Sequence, residues 1–316
     1  MTCPTTPNPP RGVPARPIHE RQLGEDMLRL QRAAAASHQR GQLIEAVRTS
    51  MAVLLALAGV AATLTGFGRP VLAIVGLAWF LVAVFLLRNW AASTARQGAL
   101  LQEMFDTALF HLPWHPTIAG DPVPAPDIHR LVRKLQPGSA KDQRIVNGWY
   151  DPTGGVHHPY DVLIAQEQNL AWDTRLRRRY SGAVVSAAVV WSVLGLTIGM
   201  TVANASIAEV LLGFFVPSLA AYQMAHDVWI GQQRVATERE QLIKTVTTEL
   251  RRARPGPITD TEYQRLQSVA RDIQGGILRT RLDPTRVPEW FYRKFRTADE
   301  RDFADTAEGH RQRLAE

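Results

Sequence analysis

YSGAVVSAAVVWSVLGLTIGMTVANASIA, residues Tyr180 to Ala208, runs for 29 positions without a charged side chain. A helix needs about 20 apolar residues to cross a hydrocarbon layer ~30 Å thick, so this stretch reads first as a membrane span. Core helices of soluble proteins seldom stay uncharged for that long. Three further runs share the property: Thr49 to Gly68, Pro70 to Leu87 and Val210 to His226. The spacing predicts four spans in two pairs, each pair closed by a short turn.

Gly66, Gly68 and Pro70 suit the first turn, because glycine ends a helix and proline opens one. Asn204, Ala205 and Ser206 make the second, and Ser206 with Glu209 has the spacing of a capping box. Glu209 reads as that cap at the membrane surface or as a pore-lining acid. Pro217 falls in the middle of the expected fourth helix, Ile207 to His226, and predicts a kink there.

Set against these runs, the averages mislead. The 316-residue chain is 46% hydrophobic and 21% charged, and its mean hydropathy of -0.12 would suit an ordinary soluble protein. The single cysteine, Cys3, excludes an internal disulfide, a Cys-rich zinc site and a CxxC redox pair. The net charge of +7 points to an acidic partner, or to a membrane surface. Its distribution is more telling than its size. The hairpin turns hold only Arg69, whereas the flanks hold Arg40, Arg48, Arg88, Arg96, Arg175, Arg177, Arg178 and Arg179. By the positive-inside rule both hairpins enter from the cytosol, leaving both termini inside.

The expected organisation is a disordered proline-rich tail over 1–17, a cytosolic helix over 18–49 and a first transmembrane hairpin over 50–88. A cytosolic helical segment follows over 89–180, then a second hairpin over 181–226 and a cytosolic helical segment over 227–316. Residues 4–17 carry no apolar stretch of signal-peptide type. Pro113 to Pro126 reads as loop, Asp127 to Leu135 as a short helix, and Thr259 with Glu262 as a capping box. Pro288 opens a short last helix. No alternating strand pattern occurs, so the fold class is an all-α integral membrane protein: four transmembrane helices as two hairpins with a cytosolic helical domain.

A nucleophile elbow, P-loop, dinucleotide fingerprint and HExxH are all missing from the sequence. His157 and His158 are adjacent and read as a surface turn rather than a metal pair. Glu103 and Asp106, three apart on a helix, read as a solvated face. The expectation is a protein that is not an enzyme, with no cofactor, no metal and no DNA partner. Binding chemistry is better represented. Arginine supplies 32 of the 36 basic residues, and its planar fork suits phosphate, although a GC-rich genome gives the same ratio. The cluster Arg175, Arg178 and Arg179 reads either as the anchor of the third span or as a ligand contact. Trp114, Trp149, Tyr150, Trp172, Trp290 and Tyr292 are aromatics of the cytosolic segments that can stack on bases or pack in a core. In the spans, Gly195-x-x-x-Gly199 is a close-packing motif, and Thr197 and Thr201 are polar groups for a channel lining or for backbone contacts.

Several strings together point to a family. They are Leu101-Gln102-Glu103-Met104-Phe105-Asp106, Leu112-Pro113-Trp114, Gly148-Trp149-Tyr150, and Gln166-x-Gln168-Asn169-x-x-Trp172-Asp173. Leu176-Arg177-Arg178-Arg179-Tyr180 then precedes the third span, and Arg279-x-Arg281-x-x-Pro284-x-x-Val287-Pro288-x-Trp290-x-Tyr292 lies in the tail. With the two-plus-two hydropathy pattern, the chain resembles the S-4TM family, four-transmembrane effectors of bacterial nucleotide-signalled antiphage (CBASS-like) defence. It departs from the family pattern at His115 and at Ala165-Gln166-Glu167.

The resemblance implies an effector in the inner membrane that answers a cyclic di- or oligonucleotide messenger. It would oligomerise or gate as a homo-oligomer and permeabilise the lipid bilayer, causing abortive infection. On that reading Trp149, Tyr150, Gln166, Asn169, Trp172, Arg175, Arg178 and Arg179 are ligand-binding candidates. Gly195, Gly199, Thr197, Thr201, Pro217 and Glu209 are pore or packing candidates. The alternative is a non-pore membrane receptor or scaffold whose cytosolic helical domain binds a protein partner.

Overall fold

A computed structural model describes residues 16–65, 69–152, 156–202, 206–211, 215–254, 258–283 and 285–315. The proline-rich tail, the tips of both expected hairpin turns and the Arg254–Pro257 stop signal lie wholly or partly outside the described residues.

The described residues are helical with no strand among them. A short turn, α1 (Ile18–Arg21), precedes α2 (Glu25–Thr65). α3 (Arg69–Leu81), a π-helical turn (Val82–Leu87) and α4 (Arg88–Phe110) run on as one rod. α5 (Pro116–Ala119), α6 (Ala125–Val132) and α7 (Ala140–Val146) are short. The next rod is α8 (Tyr160–Thr197), which ends in a π-helical turn (Ile198–Val202). α9 (Ile207–Val210) and α10 (Val216–Arg252) return, and α11 (Asp260–Leu282) and α12 (Glu289–Ala315) complete the chain.

The long helices explain the architecture. At 41 residues, α2 is ~60 Å long, twice the thickness of a hydrocarbon layer. One half of each rod therefore has an environment different from the other. α2 lies along α4 and α8 along α10, giving two antiparallel pairs. α11 packs on α4, α8 and α10, while α12 packs on α8. The core sits at this end, with Leu101, Phe110, Leu163, Leu170, Leu250, Leu266, Ile273 and Ile277 fully enclosed. At the other end the apolar side chains face outward: Ile74, Leu77, Phe80, Phe85 and Leu86 on one rod, Val185, Val189, Val190 and Val193 on the other.

Among the described residues, two helices are long and apolar enough to cross a membrane, Ile74–Phe110 and Tyr160–Thr201, one in each pair. Only 6% of the most apolar stretch of either is buried, where the core helix of a soluble protein would be mostly enclosed.

Several sequence expectations change. In the expected fourth helix, α9 ends at Val210 and Pro217 stands in the first turn of α10, while residues 212–214 between them lie outside the described residues. The kink expected at Pro217 falls beside this stretch, and the side chains of Pro217 and Glu209 also lie outside the described residues. The last helix is long, not short, at 27 residues. The Pro113–Pro126 stretch contains the turn of α5 and the start of α6. At α11, Thr259 Oγ1 accepts from the Glu262 N–H at 3.3 Å, as a cap should, but the Glu262 carboxylate turns to Arg265 at 2.8 Å instead of reaching back.

Candidate functional site

Below the apolar rods the helices enclose charge. Glu103 and Asp106 are buried, at 0% and 2% exposure, so the solvated face expected for them is wrong. Each faces an arginine on α11. Arg271 donates to Glu103 Oε1 at 2.8 Å, and Arg281 to Asp106 Oδ2 at 2.6 Å. Gln274 bridges the acids, donating to Glu103 Oε2 at 2.8 Å and Asp106 Oδ2 at 3.1 Å. Burial raises the Glu103 carboxyl above its ordinary range despite Gln274 and Arg271. Burial also opposes the Arg281 charge, yet Asp106 outweighs it and the guanidinium is held above its usual value.

A second cluster lies on α8 and α10. Asp173 Oδ2 receives Arg177 Nε at 2.6 Å and stands 2.9 Å from Arg239 Nε. Burial pushes Asp173 up, and the guanidiniums of Arg177 and Arg239 overcome this, holding it well below the carboxylate range. Arg239 and Arg286 are each lowered to about 10, chiefly by burial, with neighbouring arginines adding to the effect. Arg177 also donates to Gln232 Oε1 at 2.7 Å and to the Thr285 carbonyl at 3.0 Å. Gln232 donates to the Arg286 carbonyl at 3.0 Å, and Arg286 to the Ala95 carbonyl at 3.2 Å. The connector between α11 and α12 is thereby tied to both helix pairs. Gly231 makes room for it, since a Cβ there would lie 2.5 Å from Thr285 Oγ1.

The sequence-derived binding residues divide between these networks and the surface. Tyr150 is buried and donates through its hydroxyl to Asp106 Oδ1 at 2.8 Å. Gln166 is buried and donates to the Ala270 carbonyl at 2.8 Å and to Gln274 Oε1 at 3.2 Å. Asn169 is half-buried, its carbonyl receiving Arg239 at 3.3 Å. Arg178 forks onto Glu240, at 3.0 and 2.9 Å, while Arg179 lies over the Phe295 ring at 4.9 Å. Arg175 is half-buried on the same helix.

Trp149 and Trp172 do come together, with ring centroids 5.3 Å apart, and Tyr292 joins Trp172 at 5.0 Å. Trp149 is 41% exposed, so one end of this aromatic row is open. Its position is set by Gln22. That buried amide accepts from the N–H groups of Trp149 and Tyr150 at 2.7 and 2.9 Å and donates to the Tyr150 carbonyl at 2.8 Å. An aromatic row with an open end can stack a planar base.

His158 is also misjudged by sequence: it is 1% exposed and pairs with Asp161 at 3.0 Å, because the turn folds beneath α8. Gln22, Gln232, Arg239, Arg271 and Gln274 were missed altogether. For α11 a signal exists, since Arg271, Gln274 and Arg281 recur at helical spacing on the face that buries Leu278.

In the apolar half, Gly195 is buried and Gly199 receives Val210, whose Cγ2 would lie 2.5 Å from an added Cβ. Gly199 therefore serves a close contact within this pair of helices. Thr201 donates to the Thr197 carbonyl at 2.6 Å, and both threonines are exposed. Trp191 to Ser218 at 3.1 Å and Ser192 to Tyr222 at 2.7 Å are polar contacts between α8 and α10. No group of three metal-ligating side chains occurs among the described residues.

The family described as SMODS-associating 4TM effector domain matches residues 16–310, nearly the whole chain. The chain belongs to this family. S-4TM members carry four transmembrane helices by description, and the two exposed apolar rods belong to that set. A Bacillus cereus (strain VD146) protein named as a probable CBASS effector molecule is 23% identical over 281 residues, covering 86% of this chain and 91% of that protein. No solved structure matches. The strings that mark the resemblance converge in space: Glu103, Asp106, Tyr150, Gln166, Asp173, Arg177 and Arg281 all lie in the buried charge networks.

Proposed function

We propose that this S-4TM protein is a non-enzymatic CBASS effector. A cyclic di- or oligonucleotide made on infection binds its cytosolic helical layer, and the apolar rods then permeabilise the inner membrane. The observation that carries the reading is continuity. α4, α8 and α10 pass without a break from an enclosed, charge-paired layer into exposed apolar surface. A displacement of a helix in the first zone must therefore move the same helix in the second.

In this reading both hairpins enter from the cytosol and both termini stay there. The messenger stacks against Trp149, Trp172 and Tyr292, with Arg175 and Arg179 on the same side of α8 as phosphate contacts. Four helices enclose no wide pore, so several protomers assemble. Ligand binding shifts that equilibrium only to the extent that it prefers the assembled state.

The test is release of a trapped dye from liposomes holding the purified full-length chain. Release on adding a cyclic nucleotide, lost in Trp172→Ala while membrane incorporation is kept, is expected. A panel of cyclic di- and oligonucleotides that all leave the vesicles tight would overturn the reading and favour a receptor or scaffold without a pore.

A further inference from the structure

Three contacts fix the level at which outward-facing apolar surface begins. Ser37 Oγ meets the Thr94 carbonyl at 2.8 Å between α2 and α4. Gln233 meets Ser181 Oγ at 3.2 Å between α10 and α8. Arg286 reaches the Ala95 carbonyl at 3.2 Å from the α11–α12 connector. One helical turn beyond these contacts stand two half-exposed indoles, Trp90 at 46% and Trp229 at 37%. Arg40 stacks on Trp90 at 4.7 Å. Indoles at a shared level, one of them stacked by an arginine, are what a membrane–water interface selects.

The first turns of α12 stand at this same level. The Phe291 ring lies 5.1 Å from Tyr180, the first residue of the uncharged run, and Phe295 lies under Arg179 at 4.9 Å. Helical geometry divides this segment sharply. Phe291, Tyr292 and Phe295 turn toward α8, whereas Trp290, at 61% exposure, shares the opposite face with exposed Arg293 and Lys294. The one acid of the segment, Glu289, is engaged by Arg144 at 3.4 Å. Farther along, His310 meets Glu167 at 2.9 Å and Arg313 meets the Leu250 carbonyl at 2.8 Å, so the rest of α12 leads away from the apolar zone.

We propose that the start of α12 is a foot resting on the bilayer, with Trp290, Arg293 and Lys294 binding the headgroups of anionic phospholipids. An exposed indole flanked by two cations, continuous with lipid-facing surface, matches an anionic leaflet in both polarity and charge. The inference rests on the reading that the apolar rods are embedded in lipid, but not on messenger binding or on a pore. Through Tyr292 the foot touches Trp172, so surface charge and the aromatic row act on neighbouring residues.

The test uses the full chain with Cys3→Ser, carrying one spin label in turn at Trp290→Cys, Gly309→Cys or Val189→Cys. Vesicles of phosphatidylcholine are compared with and without phosphatidylglycerol. The label at 189 should report hydrocarbon, that at 309 water, and that at 290 the interface. In detergent micelles the wild type should be stabilised by added phosphatidylglycerol and not by free glycerol phosphate. Arg293→Gln and Lys294→Gln should each weaken that response about fivefold. A label at 290 as wet as that at 309, while 189 is in lipid, overturns the foot. So does an unchanged lipid response in the double variant, or an equal response to glycerol phosphate. Water at 189 would fail the membrane reading itself, and the foot with it.

Discussion

Along α8, Val162, Leu163 and Ile164 are buried and Arg177 is enclosed against half-buried Asp173, while a few turns later Val185, Val189 and Val193 stand exposed. The same inversion occurs from α3 to α4, where Phe80 and Phe85 face outward and Glu103 and Asp106 face inward. One zone hides charge and the other displays hydrocarbon. In water the second arrangement is unfavourable by roughly 25 cal/mol per Å² of apolar surface, so lipid is the solvent that makes it stable. The first zone gains uniqueness from its polar contacts, since a buried carboxylate tolerates few partners other than its own arginine.

The largest expected effect breaks the enclosed zone. Removing one partner of a buried pair, as in Arg281→Ala or Asp106→Ala, should cost about 3–5 kcal/mol, read from thermal unfolding in detergent. A loss below about 1 kcal/mol would mean water reaches the pair. Next comes the exposed zone. Val189→Ala should leave stability nearly unchanged, whereas Val189→Arg should cost about 2.5–3.5 kcal/mol in membrane integration, measured as the inserted fraction in cells. Equal tolerance of alanine and arginine at 189 would remove the contrast between the zones.

Acid gives a third, smaller handle. The His38 ring packs against Gly98, and burial with nearby Arg286 lowers it to about 3. The unfolded chain binds a proton below about 6.5 while the folded chain stays neutral, so stability falls as pH drops from there toward 3. The slope from this group is at most about 1.4 kcal/mol per pH unit, and His38→Gln should flatten the profile. Asp173 acts at lower pH: its carboxyl is held down in the folded chain, so its contribution is lost progressively as pH falls through and below the usual carboxylate range. The smallest effect belongs to surface pairs. Asp127→Ala, which frees exposed Arg130, should change stability by less than about 0.5 kcal/mol.

Both zones were legible in the sequence to different depths. Uncharged runs announced the apolar rods, because a single forbidden residue type marks them without any knowledge of packing. Trp149, Trp172 and Tyr292 were recognisable as aromatics that stack or pack, although the Gln22 clamp that completes their setting lies far away in the chain. The charge pairing of the enclosed zone was opaque. Glu103 and Asp106 look like any solvated acidic face until α11 arrives from beyond residue 260 with Arg271 and Arg281. Helical periodicity reports which face an acid occupies, but not whether a distant cation will cover it.

Cysteine accessibility in membrane vesicles tests the division of the molecule most directly. With Cys3→Ser as background, single cysteines replace Phe80, Val189, Trp149 and Gly309, and a membrane-impermeant maleimide is applied to either face. Cysteines at 149 and 309 should react from the cytosolic face alone, and those at 80 and 189 only after detergent is added. Reaction at 80 or 189 in intact vesicles, or at 149 from the opposite face, would contradict the account.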